Sequence, residues 1–376
     1  MHSLNRAAAV VGVGATTFGR LSGNSAEQLG AWALDNALSD AGLTASDVDG
    51  LIACRVGYEA VASMMGLRPR WVASLPAEGR MTGPAIQQAV TAIAAGQCHR
   101  VALVYGNNGA TAKSTYGGFG EAYGAPTELT LPYGMTSPGA YYALMLQRHQ
   151  YLYGTSERQL AAIPMTFRKH AQLNSAAVMR GPLSIDDYMT SRYIVEPMRL
   201  FDYCLINDGG VAMILSAVDR AHDHPKPPVH ILGTAQLAEL VNSDFPPEDF
   251  WRNAVREVSE TALAQSGRER SDVDALMIYD NFSCNVLFTL EGLGYCAPGE
   301  SGDFVQNGRL ELGGALPTNT SGGHLSESYM QGWGLNIEAV RQLRGDGGDR
   351  QIEGAETIQY ACASPVVSSV IYGKDL

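Results

Sequence analysis

The sequence predicts an α/β protein made of two similar halves, and three observations support this fold class. First, residues 37–54 and residues 262–279 align with eight identities in eighteen positions, which indicates an internal repeat. Second, apolar runs of strand length alternate with helical patterns in both halves, as in folds whose mostly parallel sheets are covered on both faces. Third, only 17% of the 376 residues are charged and 42 are glycines, a composition typical of closely packed α/β proteins.

Each copy of the repeat has the pattern of a helix end, a short loop and an apolar strand. A glycine closes the helix in both copies, Gly42 in the first and Gly267 in the second, and the residues Ser-Asp-Val-Asp form the same loop twice. A weaker correspondence follows, because the helix ends 89–96 and 339–345 each precede a further predicted strand. The repeat therefore covers two successive helix–strand units in each half.

We place the boundary between the halves at a polar, proline-rich joint, residues 222–228. The first half then spans 1–216 and the second spans 225–376. Residues 108–195 interrupt the first half with a segment rich in Gly, Tyr, Ser and Met, which we expect to form an inserted loop domain over the end of the sheets where ligands bind. The helices predicted within this segment lie near 138–153 and 156–174.

Charge and cysteine content exclude several classes of function. The formal net charge is −12, and no cluster of Lys and Arg provides the basic surface that nucleic acid requires. The six cysteines form no CxxC pair and have no metal-ligand spacing with the eight histidines, so no metal site is expected. The apolar run at 7–13 is too short to span a membrane, and no signal peptide is predicted. Scattered cysteines are typical of a reducing compartment, and we expect a cytoplasmic protein.

Five passages occur together, in order and at the spacing of one known family. They are VVGVGATTFGR (10–20), RGPLSIDDYMTSRYIVEPMRLFDYCLINDGGVAMIL (180–215), YDNFSCN (279–285), LEGLGYCAPGESGDFV (290–305) and LPTNTSGGHLSESYMQG (316–332). Together they resemble the thiolase superfamily, in its branch of sterol-carrier and lipid-transfer-protein thiolases. The resemblance implies the thiolase fold, in which two pseudo-symmetric α/β halves form a layered αβαβα core with an inserted loop domain.

The catalytic positions of a thiolase are changed in this chain. A thiolase uses a cysteine nucleophile at the start of a buried helix, where the helix dipole and a histidine favour the thiolate. The family pattern at that point is cysteine, any residue, Ser or Thr, then glycine, and the matching residues here are Arg80-Met81-Thr82-Gly83. Arginine cannot carry an acyl group, so covalent acyl transfer by the usual route is not expected.

Two tyrosines stand at the other catalytic positions that the resemblance identifies. Tyr329 occupies the place of the histidine in the family's glycine-histidine-proline motif, and Tyr279 occupies the first position of the segment that is HDCF or NEAF in relatives. This combination is similar to the steroid side-chain-cleaving aldolases, and it implies that Tyr279 and Tyr329 are the acid/base pair of a retro-aldol reaction. We expect the Arg80 guanidinium to lower the pKa of a tyrosine by favouring phenolate.

Further residues are expected to support the site. Asp280 orients its neighbours or caps the following helix, and His324 either hydrogen-bonds the substrate or is a structural loop histidine. Cys362 falls near the second catalytic cysteine of thiolases, without the glycine-rich run that should follow it. Gly322 and Gly323 bring backbone N–H groups to the thioester or form a plain tight turn. For the phosphates of coenzyme A the candidates are Arg180, Arg168 and Lys169.

Three functions remain open from the sequence. The first is an aldolase that cleaves a β-hydroxyacyl-CoA, with a steroid side chain implied by the resemblance, to a ketone and propionyl-CoA or a similar thioester. The second is a thiolase-like acyltransferase in which another residue carries the acyl group, and the third is a non-catalytic subunit that binds acyl-CoA. Coenzyme A would enter as part of the substrate. The resemblance also implies a homodimer and a small zinc-ribbon and OB-fold partner protein.

Overall fold

Two matching sets of strands carry the internal repeat in the computed structural model, which describes residues 6–76, 79–114, 131–135, 137–239 and 247–374. The first set contains β1 (Ala8–Ala15), β2 (Gly50–Cys54), β3 (Trp71–Leu75), β4 (Arg100–Asn108) and β7 (Asp208–Ala217). The second set contains β8 (Val229–Ala238), β9 (Ala275–Ile278), β10 (Thr357–Cys362) and β11 (Val366–Gly373). A separate short pair is formed by β5 (Tyr193–Val195) and β6 (Met198–Arg199).

The helices alternate with these strands along the chain. Those of the first half are α1 (Ala26–Ala41), α2 (Tyr58–Met65) and α3 (Thr82–Ala94), followed by α4 (Pro138–Tyr153), α5 (Glu157–Gln172) and α6 (Ile185–Thr190). Those of the second half are α7 (Arg252–Ser266), α8 (Ser283–Leu293), α9 (Ser301–Phe304), α10 (Gly323–Ser326) and α11 (Trp333–Arg344). Helices are therefore present at both places predicted for the inserted segment, while residues 115–130 and 136 of that segment lie outside the described residues.

Within the described residues the main strands join one sheet in the order β3-β2-β4-β7-β1-β8-β11-β10-β9. The order is nearly symmetric about the contact between β1 and β8, so that β7 corresponds to β11, β4 to β10 and β2 to β9. The expected mostly parallel arrangement is wrong: β2 is parallel to β3 and β4, and β9 to β10, whereas β7, β1, β8 and β11 pair antiparallel. The contact between the two halves, β1 with β8, is one of these antiparallel pairs.

The glycines at the repeated helix ends have the role that the sequence predicts. Gly42 follows α1 at φ 66° and Gly267 follows α7 at φ 68°, in the left-handed region that residues with a Cβ rarely adopt. At its other end α1 begins with a capping box between Ser25 and Gln28, which satisfies two backbone N–H groups of its first turn. These signals fix the length of the helix that leads into β2.

The layers of the fold follow from the alternation of side chains between the two faces of the sheet along each strand. In β1, Val10 belongs to a core cluster that includes α3, α11 and strands of both halves, whereas Val11 faces the other way, into a cluster with α1. A third cluster packs α7, α8, α4 and α5 against the outer face of the second half. Helices α3 and α11 are thus enclosed between the two halves of the sheet, which gives the αβαβα order of the thiolase fold.

This arrangement brings three chain segments to one point in the central layer. They are the turn that leads into α3, the residues that follow β9, and the residues on either side of α10. No helix among the described residues is long and apolar enough to cross a membrane.

Candidate active site

The two tyrosines predicted as an acid/base pair lie in contact. The hydroxyl oxygens of Tyr279 and Tyr329 are 2.7 Å apart, and the two residues are only 4% and 8% exposed. Tyr279 follows β9, and its N–H donates to Ala361 O at 2.9 Å. Tyr329 lies between α10 and α11, and its N–H donates to Asn207 Oδ1 at 2.8 Å. The pair is therefore held from both halves of the molecule.

Both phenols are neutral at neutral pH in this structure. Burial raises the pKa of Tyr279 and of Tyr329 well above the usual value for tyrosine, because a buried phenolate loses its hydration. In a hydrogen-bonded pair of neutral phenols one hydroxyl donates and the other accepts, and the oxygen of each keeps acceptor capacity beyond that bond. The pair can accept a proton at one oxygen while giving one from the other.

The pKa of Tyr279 and of Tyr329 is raised, and not lowered as expected from the charge of Arg80. Arg80 is half-buried in the turn before α3, and its charge acts on Cys362 and Tyr142. The largest effect on the pKa of Tyr279 and of Tyr329 is burial, which acts in the opposite direction. The burial of the phenols depends on tertiary packing, which the sequence does not reveal.

His324 lies between the two tyrosine rings. Its ring centroid is 4.9 Å from that of Tyr279 and 5.1 Å from that of Tyr329, both in edge-on contact. His324 Nε2 accepts the Gly332 N–H at 2.9 Å, which assigns the ring proton to Nδ1. Burial lowers the pKa of His324 to about 3, so the imidazole is neutral. These contacts favour a role in which His324 sets the orientation of both phenols.

Asp280 connects the tyrosine pair to α10. It is fully buried, its Oδ1 accepts the His324 N–H at 3.0 Å, and its Oδ2 accepts the Leu325 N–H at 3.3 Å. Asp280 Oδ1 is also 3.2 Å from His324 Nδ1, although the alignment is poor for a hydrogen bond. Burial raises the pKa of this carboxyl well above its usual value. Of the two predicted roles, orientation of neighbours fits these contacts. Asp280 accepts the first N–H groups of α10, and it does not cap α8, the helix that follows Asp280 in the chain.

Close packing explains why positions 322 and 323 are occupied by glycine. They have φ values of 105° and 59°, and an added Cβ would lie 2.7 Å from Ala171 Cβ at the first and 2.3 Å from Asp280 Oδ2 at the second. The Gly322 N–H donates to Asn319 O at 2.9 Å. Their presence therefore follows from the turn and its tight contacts, and their predicted part in binding a thioester stays a prediction.

Cys362 lies beside the pair as a neutral thiol. Its Sγ is 3.5 Å from Ser364 Oγ, and burial raises its pKa to about 12. It directly follows Ala361, whose carbonyl accepts the Tyr279 N–H at 2.9 Å. Because thiolate is the reactive form, this cysteine is poorly suited to attack an acyl group.

The basic candidates for coenzyme A differ in their surroundings. Arg168 is buried and donates from Nε to Ser326 Oγ at 3.0 Å, so it braces α10 instead of offering a charge to phosphate. Lys169 Nζ pairs with Glu311 Oε1 at 2.5 Å. Arg180 is exposed, close to residues 178 and 179, whose N–H groups bond to residues 327 and 326. Arg180 is therefore the candidate that remains for a phosphate at the rim of the site.

The sequence analysis missed two residues that contact the pair. An added Cβ on Gly79 would lie 1.8 Å from the Tyr279 hydroxyl, and Asn207 holds the Tyr329 N–H. Asn207 immediately precedes the Asp-Gly pair of the 180–215 passage, so that passage could have suggested it. Nothing in the sequence marks Gly79. Among the described residues no group of three or more His, Cys, Asp or Glu side chains could hold a metal ion.

Comparison with known proteins identifies the family of this chain. A family model described as thiolase C-terminal domain-like matches residues 243–368. A steroid side-chain-cleaving aldolase of Thermomonospora curvata is 34% identical and covers 100% of both chains. A 17-hydroxy-3-oxo-4-pregnene-20-carboxyl-CoA lyase of Mycobacterium tuberculosis is 35% identical, over 91% of this chain and 92% of its own. The solved structure of an Ltp2-ChsH2(DUF35) aldolase superposes with a TM-score of 0.91 at 35% identity, over 98% of each chain. The chain therefore belongs to the thiolase superfamily, in the sterol-carrier branch that includes the steroid side-chain-cleaving aldolases, and is a carbon–carbon lyase of thiolase fold.

Proposed function

We propose that this protein cleaves a β-hydroxyacyl-CoA by a retro-aldol reaction in which Tyr279 and Tyr329 exchange protons with the substrate. The observation that carries the proposal is the 2.7 Å contact between two buried hydroxyls at former thiolase catalytic positions, with Arg80 where the nucleophile would be. Retro-aldol cleavage needs no covalent intermediate, so the loss of the nucleophile is compatible with it.

The reaction balances without another reagent. One tyrosine oxygen accepts the proton of the β-hydroxyl while its own hydroxyl proton passes along the hydrogen bond to the second tyrosine oxygen, whose proton goes to Cα. As these protons move, the Cα–Cβ bond breaks, its electron pair forms the enolate of the thioester, and the β-carbon becomes a ketone. Protonation of Cα completes the short acyl-CoA, and both tyrosines are left as neutral phenols. Either tyrosine can take either role.

The relatives support the class of substrate. One of them is named for a 17-hydroxy steroid whose side chain is a coenzyme A thioester. Cleavage of the bond between the hydroxyl-bearing carbon and the carbon next to the thioester would give a 17-ketone and propionyl-CoA. We propose a steroid thioester of this kind as the substrate, with coenzyme A as part of it and Arg180 near its phosphates.

Replacement of Cys362 by alanine is expected to leave cleavage largely intact. The thiol is neutral because burial raises its pKa to about 12, and the proposed reaction passes no acyl group to it. Cleavage rates of the variant and of protein treated with iodoacetamide would be measured. Loss of activity in both, together with an acyl adduct on Cys362, would favour the acyltransferase alternative.

We also propose a homodimer and a small zinc-ribbon and OB-fold partner. Among the described residues β3 ends the sheet and pairs only with β2, and Val72 is 43% exposed, so two β3 edges are suited to pair about a two-fold axis. The partner is supported by the relative solved as an Ltp2-ChsH2 aldolase. Light scattering should give the mass of two chains for the protein alone and a larger mass, with the partner added, for the co-expressed protein. A monomer that binds no partner would contradict both proposals.

The six free cysteines favour a reducing compartment, for which we propose the cytoplasm.

The function is tested by incubating the protein, with and without the partner, with a tertiary β-hydroxyacyl-CoA and analysing the products by mass spectrometry. A 17-hydroxysteroid with a coenzyme A-activated side chain is the first substrate. Ketone and short acyl-CoA in equal amounts are expected. Tight binding of the thioester without any cleavage would favour the non-catalytic alternative.

A further inference from the structure

Gly79 stands directly against the hydroxyl of Tyr279. A Cβ built on Gly79 would lie 1.8 Å from Tyr279 Oη and 2.6 Å from Cζ, distances that no real side chain tolerates. Gly79 is buried, and it adopts no positive φ that would itself demand glycine. The absence of a side chain at this position is therefore required by the phenol and not by the local backbone.

The turn that contains Gly79 is also fixed to the segment of the second tyrosine. Thr82, buried at the start of α3, donates its hydroxyl to Gln331 O, two residues beyond Tyr329, and to Gly79 O at 3.3 Å. One short turn, residues 79–82, thus touches the Tyr279 hydroxyl at one end and bonds to the Tyr329 segment at the other. Movement of this turn would change the relation between the two hydroxyls.

We propose that Gly79 is a positioning residue, whose missing side chain lets the 79–82 turn close on Tyr279 and hold its hydroxyl against that of Tyr329. This inference rests on the proposed function for its effect on rate, but its packing claim is independent of any activity. A methyl group at position 79 forces the phenol or the turn to move. Displacement by about 1 Å of a group that transfers protons can lower a rate by about 100-fold.

The kinetic test is Gly79→Ala in the full chain, with its partner if activity requires one. The expected result is a fall in kcat of about 100-fold with KM changed less than about 3-fold, because substrate still binds while the pair is misaligned. The matched control is Gly14→Ala in β1, where an added Cβ would lie 2.2 Å from Ala33 O in α1, on the face of the sheet opposite to the pair. That variant should lose thermal stability and keep kcat.

A second measurement compares the melting temperature lost through Gly79→Ala in the natural background and in the Tyr279→Leu background. The loss should be smaller by several degrees in the second, since the clashing atoms Oη and Cζ of the phenol are then both absent. If Gly79→Ala alone does not fold, recovery of folded protein in the Tyr279→Leu background is the supporting result, and failure in both backgrounds contradicts the proposal. Equal losses in the two backgrounds with unchanged kcat would also overturn it. Should Tyr279→Phe keep full activity, the acid/base assignment fails, while the melting comparison still decides the role of Gly79.

Discussion

Replacing either Tyr279 or Tyr329 by phenylalanine should lower kcat for thioester cleavage by roughly 100- to 10,000-fold, the range for loss of a general acid or base. Each replacement removes one of two hydroxyls that lie 2.7 Å apart and that we propose exchange protons with the substrate. Because the two act as one unit, the double variant should be little slower than the slower single variant. Binding of the acyl-CoA, measured by calorimetry, should be nearly unchanged.

The control for these variants is Tyr372→Phe. Tyr372 in β11 is also fully buried, and its hydroxyl donates to Asn336 Oδ1 at 2.7 Å, so the change removes a comparable hydrogen bond in which neither tyrosine of the pair takes part. This variant should lose stability and keep its rate. If both single variants at Tyr279 and Tyr329 cleave the substrate at the natural rate, the acid/base assignment is wrong.

Replacing Asp280 by asparagine should lower both stability and activity. The two carboxyl oxygens accept the N–H groups of His324 and Leu325, and an asparagine side chain presents one oxygen and one NH₂ group to them. One buried N–H is then left without an acceptor, at a cost of about 1–3 kcal/mol in the free energy of unfolding. Because His324 contacts both tyrosine rings, we also expect kcat to fall by more than in a surface variant of equal stability.

The free energy of unfolding lost through Asp280→Asn should decrease as pH rises. The pKa of Asp280 is raised on folding, so the unfolded chain loses its proton first as pH rises, and the stability of the natural protein declines between the unfolded pKa near 3.8 and the higher folded pKa. Asparagine does not titrate, so the stability lost through Asp280→Asn should be largest at acidic pH and decrease as pH rises. Urea midpoints at several pH values measure this, with the exposed Asp186→Asn as control. A loss of stability through Asp280→Asn that grows with pH would contradict the conclusion that burial raises the pKa of Asp280.

The parts of the fold that the sequence predicted are those governed by local rules. Gly42 and Gly267 indicate helix ends because a left-handed backbone favours glycine. The repeated Ser-Asp-Val-Asp loop indicates two equivalent helix–strand units. The direction of the central strands was predicted wrongly, because hydrophobic patterning does not distinguish a parallel strand from an antiparallel one when both faces are buried.

The site was predictable where it depends on chain order and not where it depends on packing. The resemblance identified Tyr279 and Tyr329 from their places in recognisable passages. It could not reveal that burial raises the pKa of both phenols, since burial depends on the three-dimensional surroundings. Gly79 was missed for the same reason, because its contact with Tyr279 joins residues 200 positions apart.

The most direct test of the central claim, cleavage by a phenol pair without a covalent acyl-enzyme, is a single-turnover experiment with enzyme in excess over a 17-hydroxysteroid coenzyme A thioester. Ketone and propionyl-CoA would be quantified over time, and the intact protein mass would be recorded in the same quenched samples. We predict that the two products appear together in equal amounts while the protein mass stays unchanged. A transient gain of protein mass equal to the acyl group, or release of coenzyme A before the ketone, would contradict the account.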